Sequence, residues 1–350
     1  MQCQCIKQFG EPLTLEERTD LSPQGSEVIL KVVAAGVCHT DVHLRSGGYD
    51  IGHGERLDFA KRGFKLPLTL GHETVGVIEA AGPEAGDVTT GETCVVFPWV
   101  GCGDCAVCAE GKENYCLAPR FLGVFQDGGY ASHIRVPHPR CLFPIGDVPP
   151  ATAAPYACSG MTTYSALKKV GDVTKAAPIV LYGAGGLGQT CMSILKAMGG
   201  PAPVVVDIDP AKRDQALEAG ASAAIDGAEE NAIAQVQEAA GGPVAAAIDF
   251  VANEQTTELA FESAAKGGKI ILVGLYGGAA PWKLPMIPIK AINIMGSYMG
   301  NIAEFRELME IVRSCNLAPI PVAEFPLAQA NEALDQLEEG KIAGRAILTP

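Results

Sequence analysis

A chain of 350 residues, 48% hydrophobic and 19% charged, is long for one core and comfortable for two globular domains, neither disordered nor fibrous. Its net charge of -14 argues against nucleic acid and anionic membrane surfaces as partners. No apolar run reaches the length of about 18 residues that a transmembrane helix needs. The N-terminus, Met1-Gln2-Cys3-Gln4-Cys5-Ile6-Lys7, lacks the regions of a signal peptide. Twelve cysteines then point to thiols in a reducing cytoplasm, used as metal ligands or core filler.

In chain order, residues 1 to about 35 alternate apolar and polar between Gly10, Pro12, Pro23 and Gly25, which suits short antiparallel strands. The loop Gly36 to His43 follows. Cys38 there offers a zinc ligand, and Thr40 and His43 offer a proton path away from whatever the metal binds. The alternative is a buried cysteine acting as a small hydrophobe. The glycine-rich segment from Arg45 to Lys65 reads as a loop or short helix whose length suggests a function or a disordered flap. In Leu70-Gly71-His72-Glu73 a His-Glu pair precedes an apolar strand. It is either a satisfied structural pair or, with Cys38 and one more cysteine, part of a three-ligand catalytic zinc site.

Cys102, Cys105, Cys108 and Cys116 stand at x2, x2, x7 spacing in one polar stretch. Four thiolates close a tetrahedron around a structural zinc. The rival is an iron-sulfur cluster, whose bacterial run ends x3-Cys-Pro, whereas Cys116 comes after seven residues and is followed by Leu117. Cys158 heads an expected helix and reads as core or as the third ligand of the first site.

From Pro178 the pattern changes to alternating strand and helix. The apolar run Ile179-Val180-Leu181-Tyr182 feeds Gly183-Ala184-Gly185-Gly186-Leu187-Gly188 and an expected helix to Met198. A second strand, Val204-Val205-Val206, ends in Asp207 about twenty residues on, which is the context a dinucleotide fingerprint requires. Gly183 permits the tight turn, Gly185 the approach of the pyrophosphate and Gly188 the close packing of helix on strand. The helix N-terminus attracts the anion. Asp207 would accept from the adenosine ribose and oppose a 2'-phosphate, favouring NAD(H) over NADP(H). Strands are expected at Ala245 to Phe250, Lys269 to Val273 and Ala291 to Met295. Helices follow at Ile302 to Arg313 and Gln329 to Glu339, then a strand at Gly344 to Leu348. Cys3, Cys5, Cys94, Cys141, Cys191 and Cys315 carry no motif and read as filler.

The Cys-His-Thr-Asp-x-His run at 38–43, Gly71-His72-Glu73, the four-cysteine lobe, Cys158 and the Rossmann fingerprint, in this order over nearly the whole chain, resemble the zinc-dependent medium-chain alcohol dehydrogenases. The resemblance implies an α/β protein with a β-rich, GroES-like catalytic domain, discontinuous over 1–159 and 298–350. A Rossmann domain of doubly wound parallel sheet would occupy 160–297. By similarity Cys38, His72 and Cys158 hold a catalytic zinc, so that two Zn2+ are expected per chain. Glu73 is the carboxylate near it, and Thr40 and His43 are the proton relay. Thr162 positions the nicotinamide, and His39 and Arg345 contact the pyrophosphate beside Gly183, Gly185, Gly186, Leu187, Gly188 and Asp207. The expected partners are small alcohols and carbonyls and further copies of the chain, as a homotetramer or homodimer pairing at Ala291 to Met295.

The expected chemistry is reversible hydride transfer between an alcohol and NAD. Zinc would act as Lewis acid on the substrate oxygen, and the proton would leave through Thr40 and His43. Tyr49, Trp99, Leu275 and Tyr276 would line a pocket for a medium-sized primary or secondary alcohol, aromatic or alicyclic ones included. For Trp99, Leu275 and Tyr276 core packing is the alternative. Two other readings are a polyol, amino-alcohol or hydroxyacyl-CoA dehydrogenase on the same scaffold, and a zinc- and NAD-binding redox sensor without turnover.

Overall fold

The computed structural model describes residues 1–315, 317 and 320–350. The chain forms two compact units, one of Met1–Gly48, Asp58–Met161 and Met299–Pro350, the other of Tyr49–Leu57 and Thr162–Tyr298.

The first unit is built on a mixed sheet. Strand Val28–Val37 lies at its centre and pairs antiparallel with Glu73–Ala81, His133–Val136 and Arg345–Thr349. Its residues are almost all buried, so it reads as a nearly continuous apolar run rather than a half-exposed alternation. Thr93–Val96 and Leu142–Pro144 extend one side, and Val322–Pro326 the other. A smaller sheet pairs Gln2–Ile6 with Thr14–Glu17 on one edge and Leu68–Thr69 on the other. Cys94, Cys141 and, in the second unit, Cys191 are buried core residues, as filler should be.

The second unit carries a parallel sheet of Val180–Tyr182, Val204–Asp207, Ala223–Asp226, Val244–Asp249, Ala264–Leu272 and Asn293–Gly296 among the described residues. Counted in chain order, the strands lie third, second, first, fourth, fifth, sixth. That is the doubly wound order, with its switch point between the first and fourth strands, where such sheets bind nucleotides. The core Val180, Tyr182, Val204, Val206, Ala247 and Ile270 is fully buried, as a sheet covered on both faces requires. The last strand begins at Asn293 rather than Ala291, because Ala291 adopts a left-handed conformation, φ 49°, at the end of helix Met286–Lys290.

Two sequence expectations change here. Residues 49–57, expected in the first domain, fold with the second unit. The segment makes a ladder of Gly48–Asp50 with Arg56–Asp58, and its glycines decide where it sits. A Cβ on Gly52 would overlap the Gly278 carbonyl, and one on Gly277 would meet Asp50. The rest of the supposed flap is ordered in the first unit, where Phe59 stacks on Phe64 at 4.5 Å and Phe64 lies 4.6 Å from Phe125. The second change is in the expected loop Gly36 to His43, which from His39 on belongs to an α-helix, His39–Ser46.

Candidate active site

Cys38 is the N-cap of that helix, in extended conformation (φ -121°, ψ 155°). Asp41, at the third helical position, accepts from the Cys38 backbone N–H at 3.0 Å and closes a capping box. Gly47, left-handed at φ 83°, ends the helix. The cap therefore fixes the orientation of the Cys38 thiol. Thr40 and His43, three residues apart, are neighbours on one face of the helix and are partly exposed. His39 is exposed.

Asp41 has a further task. Its carboxylate is wholly buried, lies 3.2 Å from His72 Nδ1 and accepts from Tyr130 Oη at 2.9 Å. With Nδ1 so engaged, His72 Nε2 is a buried nitrogen with no hydrogen-bond partner. Such an atom costs free energy unless something binds it. Its neighbours are sulfurs: the ligand atoms of Cys38, His72 and Cys158 all lie within 4.8 Å of one another. Two thiols and an imidazole supply the three protein ligands of a zinc with an open position, and the orphaned Nε2 shows that the residues fit the ion.

The electrostatics agree. Cys38 and Cys158 face each other at 3.9 Å. Hydrogen bonding from Cys158, with the nearby charge of His72, holds Cys38 well below the ordinary thiol range despite its burial, and Cys158 is correspondingly raised. Burial opposes a charge on His72, but Asp41 and Cys38 outweigh it and raise the imidazole. Glu73 is fully buried; burial pushes it up to about 7, against the pull of Arg345. Its carboxylate accepts from the Ser159 backbone N–H at 3.3 Å and is paired with the Arg345 guanidinium. Gly36 makes room for it, since a Cβ there would overlap the Glu73 carboxylate. Arg345, expected at the cofactor pyrophosphate, is thus buried and committed to Glu73. Trp99, expected in the pocket wall, has no exposed surface: it donates to the Ala157 carbonyl at 2.9 Å and lies 5.5 Å from the His72 ring.

Cys102, Cys105, Cys108 and Cys116 also bring their sulfurs within 4.8 Å of one another. Gly101 permits this, as a Cβ there would overlap the Cys108 sulfur. A hydrogen bond with the Asp104 carboxylate pushes Cys102 up to about 12. Desolvation works against a thiolate at Cys116, but N–H groups of Cys102 and Ala118 bring it down to about 7.

In the second unit the strand Val180–Tyr182 ends at Gly183, φ 98°, and helix Gly186–Ala197 starts from Gly185 as N-cap. A Cβ on Gly188 would strike the Gly183 carbonyl, whereas Gly185 faces open space. Gly186 and Leu187 are the first residues of that helix. This is a bare turn that a pyrophosphate can approach, as the fingerprint requires. The Asp207 carboxylate accepts from the N–H groups of Ala184 at 2.8 Å and Asp209 at 2.9 Å, which holds it at the end of its strand. Arg213 bonds the Asp207 carbonyl at 2.9 Å and pairs with Asp226 at 3.0 Å. Thr162 is buried, and Tyr49 is partly exposed. Leu275 and Tyr276 are exposed rather than core. Tyr276 borders a cavity of about 340 Å³ with Asp50, Asn253, Glu254, Gln255, Gly277 and Gly278.

Sequence reasoning missed the positioning roles of Asp41 and Tyr130. The signal for Asp41 was present: an acidic residue three after Cys38, with Gly47 downstream, marks a helix start. Tyr130 gave none, because it meets Asp41 only through the fold.

Comparison with known proteins places these features in context. Residues 24–147 match an alcohol dehydrogenase GroES-like domain, and residues 186–314 match a zinc-binding dehydrogenase domain. The chain is 37% identical over 349 residues to an NAD-dependent alcohol dehydrogenase of Saccharolobus solfataricus, covering 99% of each. It is 32% identical to the D-arabinose 1-dehydrogenase (NADP(+)) of the same organism, covering 99% of this chain and 96% of that one. The crystal structure of an alcohol dehydrogenase from Aeropyrum pernix superposes with a TM-score of 0.89 at 29% identity, covering 100% of both chains.

Proposed function

Since the chain belongs to the zinc-dependent medium-chain alcohol dehydrogenases, we propose that it transfers a hydride reversibly between an alcohol and NAD at the Cys38–His72–Cys158 centre. The observation that carries this is the buried, unpartnered His72 Nε2 beside two cysteine sulfurs. When bound, zinc supplies Lewis-acid polarisation of the substrate oxygen and NAD supplies the hydride acceptor. The chain supplies the rest. Cys38, His72 and Cys158 hold the metal, and Asp41 fixes the histidine tautomer. The paired Glu73 and Arg345 keep a carboxylate buried next to the ligands. Thr40 takes the alcohol proton and His43 passes it to solvent, imidazole being the side chain suited to proton exchange near neutral pH.

Two zincs per chain is the reading that the two sulfur clusters support. Preference for NAD over NADP is supported by Asp207 and Asp226, adjacent in register, with Arg213 occupied between them. Asp207→Gly is expected to narrow the NAD/NADP ratio of kcat/KM; an unchanged ratio removes Asp207 from the selection. A medium-sized apolar alcohol is the proposed substrate, supported by the exposed Leu275 and Tyr276. A polyol or sugar is the second reading, favoured by the polar lining of the cavity at Asp50, Asn253 and Glu254. A homotetramer or homodimer pairing at the edge strand Asn293–Gly296 is supported by that strand's place at the end of its sheet.

The test is zinc content per chain together with NAD reduction across ethanol, benzyl alcohol, cyclohexanol, polyols and aldoses. Two zincs with NAD-dependent oxidation are expected, and the ranking of substrates decides between the apolar-alcohol and the polyol readings. Full zinc loading without turnover on any of them would favour a redox sensor.

A further inference from the structure

Cys3 and Cys5 were read as filler, but they form a third group of metal-ligating side chains, with Glu16, outside both sites described above. They lie two apart on strand Gln2–Ile6, so their side chains leave the same face. Both are fully buried, with sulfurs 3.4 Å apart. The Arg18 guanidinium donates to the Cys5 sulfur at 3.0 Å. The Thr69 hydroxyl is 3.4 Å from the same sulfur. Met1 packs against the pair. Two buried thiols with a cation aimed at them suit a state in which the sulfurs are negative.

A disulfide does not suit this geometry. Alternate residues of a strand stand about 6.8 Å apart, the outer limit for a disulfide. The strand cannot pucker to shorten that distance, because it is hydrogen-bonded on both edges. A bridging metal needs no such pucker. With metal–sulfur bonds of about 2.3 Å, the sulfurs open by rotation about χ1 alone.

Thiolates and thioethers select soft cations such as Cu(I). A site for a divalent ion would call on Glu16 as a further ligand, yet its oxygens are already paired with Lys7 at 2.8 Å and Arg18 at 3.1 Å. Two thiolates around a monovalent cation carry one net negative charge, and the cation facing it is Arg18, which also reaches Glu16 at 3.1 Å and Asp127 at 3.0 Å. We propose that Cys3 and Cys5 form a bis-thiolate clip for a monovalent soft cation of the Cu(I) class, with Arg18 as its counter-charge. Binding forms two metal–sulfur bonds and releases two thiol protons to solvent, with no change of oxidation state. Arg18 and Glu16 are partly exposed and give the entry path. Burial pushes Cys5 up to about 12, so uptake strengthens as pH rises.

The experiment uses the zinc-loaded enzyme, titrated anaerobically with Cu(I) from a competing chelator while zinc, copper and turnover are followed. Wild type is expected to take up one copper per chain with its zinc and turnover retained. The Cys3→Ala/Cys5→Ala variant is expected to take up none. Arg18→Gln, which keeps both sulfurs, is expected to weaken uptake by roughly tenfold or more through loss of the counter-charge. Equal uptake in the double variant, loss of one zinc for each copper, or a Cys3–Cys5 disulfide seen by mass in place of uptake would each overturn the proposal.

Discussion

The two main sulfur clusters of the first unit differ in how the chain assembles them. The four-cysteine lobe draws all its ligands from residues 102–116, in a stretch whose only regular structure is one turn of α-helix and one of 3-10. The Cys38–His72–Cys158 centre draws on three distant stretches brought together by the central sheet. Around it stand Asp41, Tyr130, Glu73 and Arg345, all buried and hydrogen-bonded to one another or to the ligands. The lobe has a thinner surround, with buried Glu113 paired to Arg140 at 3.0 Å and Arg120 donating to the Gly101 carbonyl, so a metal there would carry more of the local fold. At the other centre the fold makes the site that a metal would fill.

The largest effect should come from breaking the lobe. Apparent zinc-binding energies in small zinc domains are of order 10 kcal/mol. Cys116→Ala is therefore expected to lose one zinc, open residues 102–116 to protease and lower Tm, while the other zinc stays bound. Resistance of the lobe to protease would show that packing rather than metal holds it. The reverse change is His72→Ala. It should lower kcat/KM by roughly a thousandfold, the several kcal/mol that a Lewis acid supplies, with the lobe zinc and most of Tm retained. A Tm loss matching that of Cys116→Ala would erase the contrast between the sites.

Asp41→Asn sharpens the comparison, because it leaves all ligands in place. Loss of such a partner typically weakens metal binding 10–100-fold, so chelator competition should show that fall at one zinc only. The smallest effect concerns pH. In the metal-free lobe Cys116 lies near 7, so acidification through neutrality protonates it. Proton and metal compete, and zinc affinity of the lobe must fall as pH drops from about 8 to about 6. At the three-ligand centre Cys38 is held well below the thiol range, but Cys158 and His72 are both raised and must give up a proton to bind metal, so affinity there falls on acidification too. Lobe zinc affinity that stays constant across that window would contradict the position assigned to Cys116.

The same contrast explains what was legible in the sequence. Spacing carries local chemistry, so the four cysteines, Gly183-x-Gly185-x-x-Gly188 and the acidic end of the second strand could be read directly. Contacts that depend on strand register could not. The Tyr130–Asp41 bond, the Glu73–Arg345 pair across 272 positions and the retention of Glu73 by the absent Cβ of Gly36 all need the sheet first. Residues 49–57 moved to the other unit because two glycine contacts outweigh their place in the chain. Cys3 and Cys5 were passed over because a C-x-C pair has no spacing signature until strand geometry puts both sulfurs on one face.

The strand Arg345–Thr349 lies between Val28–Val37 and Val322–Pro326. It leaves the ribosome after every residue of the second unit has been made. Domains tend to fold as they emerge, so the parallel sheet can form on a nascent chain whose other sheet still lacks an inner strand. Until then Glu73 lacks the Arg345 guanidinium it pairs with in the finished fold. The Glu73–Arg345 pair beside the Cys38–His72–Cys158 group is therefore among the last contacts that synthesis makes possible.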